Sequence, residues 1–274
     1  IKGASRNTVQ TAHFGKWHMA ESGRLGSPAQ FGYDHFQGHE HNVDDASAGY
    51  GSHHYASWKY NNNGTLSTET TYNTAKTGAD AVSWITARVS AGDQYFAHVA
   101  FQAPHSPFHK APASEHTFDT DVSGLSDITE YFNGSPTTSS LYWATTDETG
   151  GTTTSDAGRV PYTADFLSMI EALDKQVGAI LTAAGIVIDR AYWNNTTVMV
   201  IGDNGTPASW VKSPFTDGTY YKTTVYRYGC NVPWIVAGPD DIVAFPGDGT
   251  APRDTYEMVQ VQDLYPTILE IFGG

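Results

Sequence analysis

Thr196-Thr197-Val198-Met199-Val200-Ile201 is apolar and β-branched without a helical period, which predicts a buried strand. Thr8 to Phe14, Tyr95 to Phe101 and Val232 to Ala237 read as further strands, the last stopped by Gly238-Pro239. Ala79 to Val89 reads as a helix with Ala, Val, Trp and Ile on one side. Tyr162 to Ala184 is the clearest helix: Phe166, Ile170, Leu173, Val177 and Leu181 form one apolar stripe, and Gly185 follows as a C-terminal cap. Asp263 to Phe272 predicts a closing helix. Residues 20–78 and 106–160 lack such periods and read as long loops; 134–156, nearly all Ser, Thr, Gly and Asp, reads as a surface excursion or a lid. Alternating strands and helices predict one α/β domain over 1–274, a mostly parallel sheet flanked by helices.

Composition narrows the function. The 274 residues carry 29 Asp and Glu against 15 Lys and Arg, a net charge of −14. Such a surface repels nucleic acid and anionic membranes, so an anionic substrate needs a local cluster of cations. The single cysteine, Cys230, allows no internal disulfide, and no neighbouring base activates it as a nucleophile. No apolar run is long enough to span a bilayer. The sequence starts at Ile1 without a visible leader and reads as a piece of something longer. Three glycosylation sequons, at Asn63, Asn133 and Asn195, carry little weight in so Thr-rich a chain.

Candidate chemistry sits where strands end. Asp203 and Asn204, in Gly202-Asp203-Asn204-Gly205, follow a strand at the edge where open α/β sheets place their sites. A carboxylate beside a carboxamide suits a hard divalent cation; a plain turn fits the same residues. Lys16 and His18 leave another strand two residues apart, so extended backbone turns them to one side; a surface pair around a core Trp17 is the alternative. His105, in Ala103-Pro104-His105-Ser106-Pro107, is held by prolines and suits an acid or an anion donor, or a turn cap. Lys222 stands in a loop ahead of Val232-Pro233. Five histidines, His35, His39, His41, His53 and His54, crowd one glycine-rich region without matching a closed zinc pattern.

Gly15-Lys16-Trp17-His18, Ala103-Pro104-His105-Ser106-Pro107, Gly202-Asp203-Asn204-Gly205 and Lys222 ahead of Val232-Pro233, in this order, resemble the sulfatase family of the alkaline-phosphatase superfamily. Gly32-Tyr33-Asp34-His35-Phe36, the long helix with Asp174 and Asp263-Leu264-Tyr265-Pro266-Thr267 extend the resemblance over most of the chain. The resemblance implies a sulfuric ester hydrolase in which a divalent cation, Ca²⁺ or another such as Mg²⁺, holds the sulfate and a formylglycine. It implies that Asp203 and Asn204 are metal ligands, that Lys16 and Lys222 neutralise sulfate oxygens, and that His105 contacts the sulfate or protonates the leaving alkoxide. His18 would hold the formylglycine. The substrate would be a sulfate ester of a carbohydrate or small alcohol, and the setting periplasmic or secreted.

The family also supplies two Asp ligands and a Cys/Ser-x-Pro/Ala-x-Arg nucleophile motif well upstream of Gly-Lys-Trp-His, and a C-terminal subdomain. Neither has a counterpart here, so the fold is expected to be incomplete at both ends, with formylglycine in the N-terminal segment and this chain inactive alone. Ile1 to Arg6 reads as the end of a helix leading into the first strand. Arg227-Tyr228-Gly229-Cys230-Asn231 departs from the family's Glu-Gly-Gly-Ile/Cys-Arg. Two alternatives remain: a phosphomonoester, phosphodiester or phosphonate hydrolase of the same superfamily, and a non-catalytic anion- or glycan-binding protein on the same scaffold.

Overall fold

The computed structural model describes residues 9–19, 27–43, 54–106, 109–117, 156–186, 195–206, 221–239 and 259–273. Five strands form one sheet in the order β4-β3-β2-β1-β5, and β6 and β7 form a second. They are β1 (Gln10–Lys16), β2 (His35–His39), β3 (Trp58–Asn62), β4 (Thr65–Glu69), β5 (Tyr95–Ala100), β6 (Val198–Ile201) and β7 (Trp234–Ala237). The helices are α1 (Ser27–Gln30), α2 (Asn73–Ala91), α3 (Asp156–Ala183), α4 (Arg227–Cys230) and α5 (Val261–Ile271). Strands β2, β1 and β5 run parallel, β3 and β4 antiparallel to their neighbours, and β6 antiparallel to β7. The α/β class is as the sequence predicts, with a mixed sheet.

Alternation along β1 gives the sheet two faces. Ala12 and Phe14 face a cluster with Ala81, Ile85 and Ala184, joined by Ala97 and Val99 of β5 and Val198 of β6. Thr11 and His13 are buried too. Thr11 bonds Asp34 on the neighbouring strand's approach, its amide 3.1 Å and its hydroxyl 2.9 Å from Oδ2. The Gly32-to-Phe36 segment thus has a structural duty at the amino end of β1. A second cluster gathers Tyr55, Trp58 and Tyr72 around Met169 and Ala172 of α3.

The loop expected over 20–78 contains α1, three strands and the first turns of α2. Its strands are five residues each, too short to show a period. The turn between β3 and β4 is Asn63-Gly64, with φ of 50° and 93°, the left-handed pair that a two-residue hairpin requires. The Asn63 carboxamide oxygen accepts from Phe36 N at 2.8 Å, so its side chain serves the fold.

Helix α3 begins at Asp156, inside the second expected loop. Among its described side chains the buried ones are Ser168, Met169, Ala172 and Gln176, while Ile170 of the expected stripe is 38% exposed. The face is rotated because α3 meets α2 at Gly78, where a Cβ would lie 2.8 Å from the Gln176 Cβ. Gly185 closes the helix with φ 79°, and Ile186 N reaches back to Leu181 O. The lid expected at 134–156 falls, up to residue 155, outside the described residues, as do Ile1 to Arg6, His53, Pro107 and Asn133.

Three strands close tightly around Gly15, which is in register with Gly38 of β2 and Ala100 of β5. Gly15 has φ 87°, and a Cβ there would lie 2.1 Å from Ala100 O. A Cβ on Gly38 would lie 1.9 Å from Gly15 O. Gly38→Ala is therefore expected to destabilise the fold by about 3 kcal/mol, the upper end for overpacking. Denaturant unfolding measures it; a loss within about 0.5 kcal/mol, the range of neutral surface changes, would contradict this packing.

Candidate active site

The close approach at Gly15 delivers Lys16 as the last residue of β1. Trp17 follows, buried, its amide donating to His39 O at 2.8 Å. His18 comes next and is exposed. Lys16 is in register with His39 at the end of β2. The next parallel strand, β5, ends at Ala100 and runs into Gln102 and His105.

The backbone around His105 is fixed from three sides. Its amide donates to Gln102 O at 2.9 Å, its carbonyl accepts from the Tyr55 hydroxyl at 2.8 Å, and Nδ1 lies 2.9 Å from Ser106 O. A carbonyl only accepts, so Nδ1 carries the hydrogen, leaving Nε2 as the free nitrogen of the neutral ring.

The third piece comes from the carboxyl end of β6. Gly202 N donates to Pro233 O at 3.1 Å, and a side chain at 202 would press on Val232 and Pro233. Asp203 is exposed and Asn204 half-buried. Gly205 N donates to Gly229 O at 3.0 Å, and Lys222 N donates to Thr206 O at 2.8 Å. Lys222 is thereby fastened to the loop that carries Asp203. Thr223, directly after it, has φ 80°, an uncommon conformation for a β-branched residue.

These pieces converge electrostatically on one imidazole. His105 is held down to about 4, first by burial and then by the charges of Lys16 and Lys222. The Ser106 carbonyl bond and the Asp203 carboxylate pull the other way. The charges at positions 16, 203 and 222, spread over the whole chain, thus all act on His105. The His18 ring lies 6.1 Å from that of His41.

His39 was only one of five crowded histidines in the sequence. It is buried, and Nδ1 donates to His41 O at 2.5 Å, so Nε2 is an acceptor with no partner among the described residues. Its pKa is lowered to about 4 by burial, with Lys16, His18 and His41 adding to the shift. Only strand register puts it beside Lys16, and register is not visible before pairing is known.

Asp203 and Asn204 offer hard oxygen donors of the kind calcium and magnesium take. Among the described residues no group of three or more His, Cys, Asp or Glu gathers for a metal, so this pair fits part of a shell of about six to eight oxygens. Cys230 is exposed, its thiol 3.4 Å from Thr224 O. Among the described residues no helix is long and apolar enough to cross a membrane.

Imidazoles held neutral inside the protein set an acid limit on the fold. His13, lowered to about 3 chiefly by burial, joins His39 and His105 below the usual 6.5. Each is neutral when folded and takes a proton on unfolding, so stability is full above about pH 6.5 and falls as pH drops toward 4. Each group adds up to about 1.4 kcal/mol per pH unit to the slope. The melting temperature is expected to fall between pH 6.5 and 4.5, and His39→Phe to flatten that slope; an unchanged slope contradicts a buried neutral His39.

The Sulfatase family model matches residues 4–274. No curated protein matches the chain. Among solved structures, Ps i-CgsB in complex with k-i-k-neocarrahexaose is 19% identical, with TM-score 0.60, covering 99% of this chain and 52% of its own. The sulfatase yidJ of Bacteroides fragilis is 16% identical, with TM-score 0.64, covering 98% and 54%. BT4656, in complex with its substrate D-glucosamine-2-N,6-O-disulfate, is 15% identical, with TM-score 0.52, covering 86% and 54%. The chain thus spans about half the length of these structures.

Proposed function

The chain belongs to the sulfatase family, and on that premise we propose that it carries the sulfate-recognition half of a sulfuric ester hydrolase. The observation that carries this reading is the convergence of Lys16, Lys222 and Asp203 on His105. In a chain of net charge −14, two ammonium groups brought together from residues 16 and 222 need a reason. A tetrahedral oxyanion gives one, because compact ammonium groups offset charge on several oxygens at once.

The roles follow from position. Lys16 and Lys222 bind and orient the sulfate. His105, neutral in the free site, has Nε2 available; a bound anion favours its protonated form, ready to give a proton to the departing alkoxide. His18, which is exposed, would hold the formylglycine. Asp203 and Asn204 would hold Ca²⁺ or Mg²⁺, which when bound supplies positive charge to the sulfate oxygens. We place the nucleophile, a formylglycine, in the part of the sulfatase fold that this chain does not span.

The substrate we infer is a sulfated carbohydrate or other small alcohol sulfate in a periplasmic or secreted setting. Two of the similar structures hold a carbohydrate ligand, k-i-k-neocarrahexaose in one and D-glucosamine-2-N,6-O-disulfate in the other.

Calorimetric titration of the chain with inorganic sulfate tests the recognition step. Lys16→Ala and Lys222→Ala are each expected to weaken sulfate about tenfold, the scale of one charge-assisted hydrogen bond. Calcium is expected to tighten sulfate binding in the parent and to have no such effect in Asp203→Ala. Equal affinity in all variants would refute the site. Turnover of an aryl sulfate against an aryl phosphate by the whole protein separates a sulfatase from a phosphoester hydrolase; turnover of neither, with glycan binding retained, favours a binding protein.

A further inference from the structure

Behind Lys16, on the sheet face away from the large helices, lies a histidine that the site description leaves unused. His13 is 1% exposed. Its Nε2 is 3.0 Å from the Lys16 carbonyl oxygen, and its Nδ1 is 3.1 Å from Nδ1 of His98 on β5. The Tyr33 hydroxyl oxygen lies 3.2 Å from the same His98 nitrogen. Trp17, Tyr33 and Phe36 pack around the His13 ring with centroids 5.1, 5.4 and 5.7 Å away. The ring therefore cannot turn without repacking three aromatic neighbours.

The hydrogens can be assigned from the partners. A carbonyl oxygen accepts and never donates, so Nε2 of His13 carries a hydrogen and gives it to Lys16 O. In the neutral ring Nδ1 is then a lone pair, and the hydrogen between the two Nδ1 atoms belongs to His98. A single direction runs through the chain of bonds: His98 donates to His13, and His13 donates to the Lys16 carbonyl.

We propose that His13 is a positioning residue for Lys16, its Nε2–H clamping the strand exit from which the ammonium reaches the oxyanion, with His98 fixing the tautomer. This rests on the reading of Lys16 as a sulfate ligand. Lys16 is the point where β1 ends. Between Gly15 in an unusual conformation and the buried Trp17, its carbonyl is one handle on its orientation. Misplacing a charged ligand by a fraction of an ångström weakens its hold on a small anion, so a fixed carbonyl translates into affinity.

Two measurements on the full chain decide the matter. Long-range proton–nitrogen NMR should show His13 as the Nε2–H tautomer and His98 as the Nδ1–H tautomer; the reverse assignment for His13 overturns the clamp. In calorimetric titration with inorganic sulfate, His13→Phe, which keeps the ring packing and loses the donor, should weaken binding about fivefold, the scale of one neutral hydrogen bond. His13→Gln, which retains an N–H, should recover most of that loss. His13→Phe combined with Lys16→Ala should bind no more weakly than Lys16→Ala alone. Additive losses, or parent-like affinity in His13→Phe, overturn the proposal. If Lys16→Ala itself binds sulfate like the parent, the oxyanion reading falls and this role with it; loss in Lys16→Ala but not in His13→Phe removes this role alone. Should His13→Phe fail to fold, His13→Gln and the tautomer measurement carry the decision.

Discussion

The contact between β1, β2 and β5 at Gly15 governs the rest of the molecule. At the carboxyl ends of these three parallel strands the backbones approach too closely for side chains in between. Gly15 and Gly38 allow that at adjacent positions, and the Ala100 carbonyl occupies the space a side chain on Gly15 would need. The left-handed turn of Gly15 then ends the strand and sends out Lys16, with Trp17 tied to His39 O. Lys16, His39 and the segment leading to His105 are neighbours because their strands are.

Electrostatics supplies the second layer. The chain is strongly acidic, yet its site opposes that trend by collecting Lys16 and Lys222 around a neutral imidazole. Burial is the first reason His105 stays uncharged, and the lysines add to it. The two lysine charges disfavour a proton on this ring, and the Asp203 carboxylate acts in the opposite sense. His39 and His13 repeat the pattern nearby, each neutral because it is enclosed.

How much of this was legible in the sequence depended on whether the signal was local. The turn at Gly202 to Gly205 follows its strand directly, and the cap at Gly185 follows its helix directly, so both could be read from neighbours alone. Lys16, His105, Asp203 and Lys222 could be grouped by the order of their motifs, though composition and periodicity gave no hint of their proximity. The strands β2, β3 and β4 are hard to read because five residues of His, Gly, Asn and Tyr hide alternation, and only the Asn63-Gly64 pair marks their hairpin. Helix α3 was found, but its buried face was misjudged, since Gly78 on another helix decides where Gln176 can sit. His39 and His13 were invisible as parts of the site because register and cross-strand bonding place them there.

The tether between Lys222 N and Thr206 O has a mechanical meaning. It joins the turn after β6 to the segment ahead of α4, with the Gly205-to-Gly229 bond as a second rivet. An acid–amide pair and an ammonium carried on independent loops would wander relative to each other. Riveted together, they keep their spacing as one unit.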